Sequence, residues 1–347
     1  MRILWLAPTF RGNARIRSEE IRALGADVML VTAALRYSDF DQDLELETVL
    51  NGRPIPWADW RPCYRTYQAA RRFRPDVVVT ELLRDPRWRM FASLAPRIRL
   101  IHDDKPHDAK NVFPWWNRLF FNRWDARADA TIVFSDYVAS SLRAQGRAGS
   151  RLYVAPLHSD LDPSLIPDFA FPARERRNFV MLGRQNPYKN HAVVFAAWEA
   201  HVAGSAWRGD ELVIFGDGEI SRPLPPSARW VRGDFKYRDI VGELARAKGS
   251  IVHYTQGASQ SGVQVLSMQL GVPTLVSTGG ALPEYQPIGL SVSGVNDVRG
   301  LARAIDALAD PEEVDRQSYL ALNHYKNCYD SSLFARRFVE IAKDVTS

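Results

Sequence analysis

Residues Gly183 to Lys189 read GRQNPYK and follow directly on the apolar run Phe179 to Leu182, FVML. A short apolar run that empties into a Gly- and Pro-containing loop reads as a buried strand followed by a turn. The loop places an Arg and a Lys five positions apart at the strand's end. Arg184 offers a planar fork of donors and Lys189 a compact point charge, a pairing suited to the two phosphates of a nucleotide diphosphate. The alternative at this point is two surface cations beside a turn.

Outward from this stretch, strands and helices alternate along the whole chain. The expected strands before it are Arg2 to Ala7, Asp27 to Thr32, Asp76 to Thr80, Ile98 to His102 and Ala130 to Ser135, with helices at Ala14 to Leu24 and Tyr64 to Phe73. After it come Glu211 to Phe215, Arg229 to Arg232, Ser250 to Tyr254 and Thr274 to Ser277. These runs are apolar on both faces, as parallel strands covered by helices must be. Two successive α/β series predict two doubly wound, Rossmann-like domains. The expected boundaries are 1–165, 166–330 and a C-terminal helix, 331–347, returning to the first domain. His158 to Arg177, with Pro163, Pro167 and Pro172, reads as a hinge.

The 347 residues fit two domains, and 46% apolar with 24% charged residues is ordinary for a globular protein. Cys63 and Cys328 are the only cysteines, which favours a reducing compartment over secretion. The apolar run near Met1 is broken at Pro8, too short for a signal peptide, and no stretch approaches a membrane-spanning length. A cytoplasmic protein is expected, possibly peripheral at the inner face of the membrane. Charge is uneven: residues 1–170 hold 25 Lys and Arg against 21 Asp and Glu, and Arg53 to Arg99 contains eleven Arg and four acids. That region is either a solvated helix face or a surface for phosphate-rich partners such as anionic lipid headgroups. No base-reading module is visible, so nucleic acid is not expected as a partner.

Ligands of open parallel sheets collect beyond the carboxyl ends of the strands, so the loops there are candidate sites. Gly12, after the first strand, lets backbone amides approach a ligand. His102, Asp103, Asp104 and His107 form a polar loop whose spacing, interrupted by Pro106, does not favour a metal. Gly216 to Glu219 is a G-x-G turn without a third glycine, weak support for a dinucleotide. Gln260, Ser261 and Gly262 open an apolar helix that Gly271 closes, presenting free amides to an anion. Thr278 to Gly280 is a further glycine loop, with Glu284 behind it.

Taken in order, GRQNPYKN, IFGDG and SQSGVQVLSMQLGVPTLVSTGGALPE resemble the C-terminal domain of retaining nucleotide-sugar glycosyltransferases of family 4. The likeness is most specific over Phe179 to Glu284, and RPDVVVT and RADATIVFS extend it into the N-terminal half. The resemblance implies the GT-B fold, two Rossmann-like domains facing across a cleft. It also implies a nucleoside-diphosphate sugar held mainly by the second domain, an acceptor held by the first, and transfer without a metal or other cofactor. Carried across, Arg184 and Lys189 neutralise the donor's diphosphate, and Ser261, Gly262 and Val263 lend amides to it. His102 stands near the reacting centre, with Asp103, Asp104 and His107 as acceptor-side neighbours. Gly12, Gly216 and Glu284 border the donor. The family commonly places two Glu eight positions apart before the GxP turn, and here those positions hold Ala258 and Leu266. Gln260 or Gln264 is the expected replacement for their hydroxyl contacts.

Phe113 to Trp124, FPWWNRLFFNRW, carries both a core-facing helical stripe and aromatics beside Arg118 and Arg123. It reads either as core packing or as a membrane-docking face, and docking would favour a lipid-linked saccharide acceptor in cell-envelope or exopolysaccharide synthesis. The expected activity is glycosyl transfer to an acceptor hydroxyl. A nucleotide-sugar epimerase and a catalytically idle binding subunit of a polysaccharide-assembly complex are the rivals, the latter because of the missing Glu pair.

Overall fold

The computed structural model describes residues 1–33, 47–51, 60–83, 85–103, 124, 127–149, 151–255 and 258–347. The chain divides into two compact units, Met1–Asp160 with Ser331–Ser347, and Leu161–Asp330.

In the first unit, strands β1 (Arg2–Ala7), β2 (Asp27–Ala33), β3 (Glu47–Leu50), β4 (Val77–Glu81), β5 (Arg97–Ile101), β6 (Ala130–Val133) and β7 (Leu152–Val154) form one parallel sheet in the order β3-β2-β1-β4-β5-β6-β7. Helices α1 (Arg11–Ala23), α2 (Trp60–Phe73), α3 (Asp136–Ala144) and the C-terminal Ser331–Thr346 belong to the same unit. Val77–Glu81 is buried at every position, because helices cover both faces of a parallel sheet. Trp5 of β1 packs against Phe338 of the C-terminal helix at 5.1 Å between ring centres. Burying aromatic rings of this size stabilises the unit by about 2–3 kcal/mol each.

The second unit holds β8 (Phe179–Leu182), β9 (Leu212–Phe215), β10 (Ala228–Val231), β11 (Gly249–Val252), β12 (Thr274–Ser277) and β13 (Val292–Ser293), in the order β10-β9-β8-β11-β12-β13, again all parallel. Helices α4 (His191–Ala203), α5 (Tyr237–Ala245), α6 (Gly262–Gln269), α7 (Val298–Ala307) and α8 (Pro311–Cys328) accompany it; α9 is the C-terminal Ser331–Thr346. On one side of the sheet Phe179, Ile214, Phe195 and Trp198 share a core; on the other Val180, Val213, Leu244 and Leu266 share a second.

The structure corrects several sequence expectations. Helix α1 starts at Arg11 rather than Ala14, because Glu47 of β3 accepts from Arg11 Nε at 2.7 Å and faces Arg15 at 3.6 Å. Gly12 therefore sits in the first turn of a helix, not in a loop. The boundary between the units, at Asp160/Leu161, falls inside the His158–Arg177 segment read as a hinge; beyond it Leu161 lies in a core of the second unit, and buried Arg176 donates to the carbonyls of Phe171, Ala247 and Gly271. The Arg-rich region splits in two. Arg87, Arg97 and Arg99 are buried and pair with Asp85, the Trp124 carbonyl and Thr131, whereas Arg61, Arg65, Arg71 and Arg72 of α2 are exposed. Of the aromatic stretch Phe113–Trp124, only Trp124 is described, and its ring lies 3.8 Å from the Arg97 guanidinium. The rest of that stretch lies outside the described residues. Among the described residues, no helix is long and apolar enough to cross a membrane.

Candidate functional site

In each sheet the strand order reverses direction beside the first strand of the unit, between β1 and β4 and between β8 and β11. A crevice opens at such a switch point, beyond the carboxyl ends of the two strands. Both switch points carry buried ionic chemistry.

At the second, Lys189 leaves a short helical turn after β8 and turns back under it. Its side chain is buried, and Nζ donates to the Leu182 carbonyl at 2.7 Å and to the Tyr254 hydroxyl at 2.8 Å. The Tyr254 ring centre lies 4.5 Å from the same ammonium. Nothing acidic pairs with Lys189 among the described residues, and burial pulls its pKa down. A buried ammonium held this way has its positive charge unbalanced by any described carboxylate, a chemistry suited to an anion. Tyr254 follows β11; burial pushes its phenol up to about 12, so it keeps its proton. Having accepted from Lys189, it has that proton to offer Ser261 Oγ, 3.2 Å away. Ser261 in turn caps α6, its hydroxyl accepting from the Gln264 amide at 3.3 Å. The chain Lys189–Tyr254–Ser261 thus ties the end of β8 to the amino end of α6. The first-turn amides of Gly262 and Val263 have no intrahelical acceptor and carry the positive end of the helix dipole. Gly183 joins this cluster, since a Cβ built there would stand 3.6 Å from Lys189 Nζ and 3.9 Å from Val263 Cγ2.

Gly216 serves this architecture differently from expectation. Its φ is +125°, and a Cβ would stand 2.3 Å from the Gly183 carbonyl oxygen, so only glycine lets the loops after β8 and β9 touch. Its N–H donates to the Val231 carbonyl and its carbonyl accepts from Trp230 Nε1. Gln185 completes the junction: its Nε2 donates to the carbonyls of Gly183 and Phe215, while His191 Nε2 donates to its Oε1 at 3.0 Å. Burial lowers His191 to about 4, so it is neutral and its ring N–H is available for that bond.

Arg184, by contrast, is exposed beside this cluster. Gln260 is half-buried at the lip of α6 and Glu284 is exposed in the Leu282–Tyr285 turn. Gln264 is fully buried, its Nε2 donating to the Leu282 carbonyl and to Gln286 Oε1. Ala258 and Leu266 are buried too. The Ala258 carbonyl accepts from the Ala281 amide, and Leu266 belongs to an apolar core.

At the first switch point, Glu81 ends β4 fully buried. Arg17 Nη1 meets it at 2.6 Å, His102 Nε2 at 2.5 Å and Trp5 Nε1 at 3.3 Å. Burial alone would raise the Glu81 carboxyl, but Arg17 and His102 bring it down to about 2. Its oxygen is therefore an acceptor at neutral pH, and His102 donates to it from Nε2. The His102 ring is stacked on Phe10 at 3.9 Å. Arg17 also donates to His158 Nε2 at 2.8 Å, and His158, lowered to about 3 by burial and by Arg17, is neutral. Asp103 is half-buried next to His102, while Asp104 and His107 lie outside the described residues. Sequence reasoning missed Tyr254, Gln185, Glu81 and Arg17. Tyr254 was visible only as a strand-end residue and Glu81 lay one position past the expected strand Asp76 to Thr80, and no local signal pairs them with Lys189 or His102.

Two parallel α/β units of this kind are the architecture of the GT-B fold. Residues 17–162 match the family described as Glycosyltransferase Family 4. A glycosyltransferase from Rickettsia africae superposes with a TM-score of 0.70 at 16% identity, over 99% of this chain and 98% of that one. Sucrose-phosphate synthase from Thermosynechococcus elongatus gives 0.70 at 14% identity, over 99% of each chain. HepE from Anabaena, in complex with UDP and glucose, gives 0.69 at 14% identity, over 99% of this chain and 100% of that one. No curated protein matches the chain in sequence.

Proposed function

We propose that the protein moves a glycosyl group from a nucleoside-diphosphate sugar to an acceptor hydroxyl, with retention at the anomeric carbon and without a metal. The observation that carries this reading is the buried Lys189 ammonium, held by a carbonyl and a phenol at a sheet switch point with no carboxylate paired to it among the described residues. A diphosphate supplies the missing charge. As the bond between the anomeric carbon and the phosphate oxygen breaks, negative charge grows on the departing diphosphate. Lys189, the first-turn amides of α6 and the exposed fork of Arg184 are prearranged to stabilise it. Donor binding falls to the second unit and acceptor binding to the first, with His102 near the reacting centre and Asp103 on the acceptor side. The acceptor is a saccharide or lipid-linked saccharide of cell-envelope or exopolysaccharide synthesis, which would bring a cytoplasmic protein to the inner face of a membrane.

Arg184→Ala and Lys189→Met are expected to depress acceptor-dependent release of nucleoside diphosphate by at least about 100-fold, as loss of a transition-state donor does. Wild-type turnover in both variants would reject the assignment. One observation favours a second reading: Ala258 and Leu266 stand where the family commonly has its Glu pair, as in a binding subunit without turnover. Such a subunit would bind donor and release no nucleoside diphosphate with any acceptor. An epimerase would convert the donor with no acceptor present.

A further inference from the structure

The exposed face of α2 is unlike the other charged helix surfaces of this protein. Trp60–Phe73 contains no Asp or Glu. At about 100° per residue, Trp60, Arg71, Tyr64, Gln68, Arg61, Arg72 and Arg65 fall in that order within an arc of about 140°. All but Gln68, which is half-buried, are exposed, Trp60 by 40% and Tyr64 by 54%. On the opposite side Cys63 and Ala70 are buried in the first unit's core beside Trp88 and Phe91. The stripe is therefore not the helix's packing face.

On other helices, Arg316 pairs with Glu313 at 2.6 Å and Arg337 with Glu340 at 3.1 Å, each with an acid of its own helix. Arg61, Arg65, Arg71 and Arg72 pair with no acid among the described residues. Four unneutralised guanidinium groups along one line repel one another in the absence of a partner, and two large aromatics beside them add apolar surface to water.

We propose that this face of α2 docks on a bilayer surface rich in anionic phospholipid. The Arg forks engage headgroup phosphates, and the Trp60 and Tyr64 rings, with apolar bodies and polar edges, settle at the headgroup level along the aromatic side of the stripe. Because the helix's own apolar side is committed to the core, docking is electrostatic and superficial, and it weakens as salt rises. Phosphates of a nucleic acid are the competing source of the same charge. Aromatics beside the Arg residues on one exposed helix face favour the lipid, where such rings settle at headgroup level. This surface extends the lipid-linked acceptor reading but is measured without reference to turnover, so either can fail alone.

The test is flotation of the full chain with vesicles of phosphatidylcholine alone and of about three parts phosphatidylcholine to one of phosphatidylglycerol. The wild-type protein is expected to float with the anionic vesicles and not with the neutral ones. The triple variant Arg61→Gln, Arg65→Gln, Arg72→Gln should partition roughly a hundredfold more weakly, each Arg near the surface supplying about a fivefold factor. Unchanged circular dichroism would show that it remains folded, as substitutions at exposed positions should allow. Absence of wild-type flotation would overturn the proposal. So would equal flotation of the triple variant, or retention of single-stranded DNA through these Arg residues while vesicles are ignored.

Discussion

Replacing Glu81 by Gln removes one negative charge from the interior of the first unit while keeping the side chain's shape. The lost carboxylate faces Arg17, and both side chains are wholly out of water. Burial would raise the Glu81 pKa, yet Arg17 and His102 hold it at about 2, against an ordinary value of 4.5. A depression of that size corresponds to about 3 kcal/mol of folding stability, with no solvent screening to reduce it. Removing one partner of a buried ion pair costs about 3–5 kcal/mol, the same range. Burial also lowers the Arg17 pKa despite Glu81, but a guanidinium keeps its proton across the working pH range, so the carboxylate sets the pH dependence. A depressed carboxyl contributes stability that is complete above pH 4.5 and is lost as pH falls through about 2. Hydrogen exchange reads this in the first unit alone. At neutral pH, amides of β1 and β4 in Glu81→Gln should exchange on the order of 100-fold faster than in wild type, with β8 and β9 unchanged. On acidification the wild type should approach the variant. Exchange of β1 and β4 within about threefold of wild type at neutral pH would refute the reasoning.

Tyr254→Phe keeps the ring over Lys189 but loses the hydroxyl between Lys189 and Ser261; nucleoside-diphosphate affinity measured by calorimetry should fall about tenfold, as loss of a hydrogen bond to a charged group does. An unchanged Kd would remove Tyr254 from the site. Gly216→Ala forces a Cβ against the Gly183 carbonyl at a φ that L-residues avoid, and should lower the Tm of the second unit by about 5–10 °C in scanning calorimetry. The Cys63 thiol, buried and pushed up to about 11, should resist alkylation in the native protein at mildly alkaline pH while half-buried Cys328 reacts first, as peptide mass mapping would show. His158, lowered from 6.5 to about 3, adds to acid sensitivity: the unfolded chain takes up its proton first, so stability declines from pH 6.5 downward until the folded state too is protonated near 3.

Strands that are apolar on both faces, such as Phe179–Leu182 and Thr274–Ser277, were legible in the sequence at their true bounds, because burial on two faces leaves no polar alternation to confuse them. Glu47–Leu50 was not. It is a half-polar edge strand, and its Glu is buried only because Arg11, Arg15 and Thr32 surround it, from up to 36 residues away. The same distant pairing moved the start of α1. Lys189 and Ser261 were readable as phosphate-binding residue types in strand-end loops. Their meeting through Tyr254 depends on β8 and β11 being neighbours in the sheet, 65 residues apart from Lys189 to Tyr254, a fact of topology rather than of local pattern. The glycines at 216 and 218 were recognisable as a turn. Their physical reason, close approach to the loop of Gly183 and Gln185, needed the fold.

The most direct test of the phosphate-binding assignment is thermal unfolding in the presence of UDP-, GDP-, ADP- and dTDP-sugars, comparing the wild-type protein with Lys189→Met. A donor at about a hundred times its Kd should stabilise the wild type by about 3 kcal/mol, and the variant should lose that stabilisation. Equal stabilisation of the variant, or none of the wild type by any donor in the panel, would contradict the account.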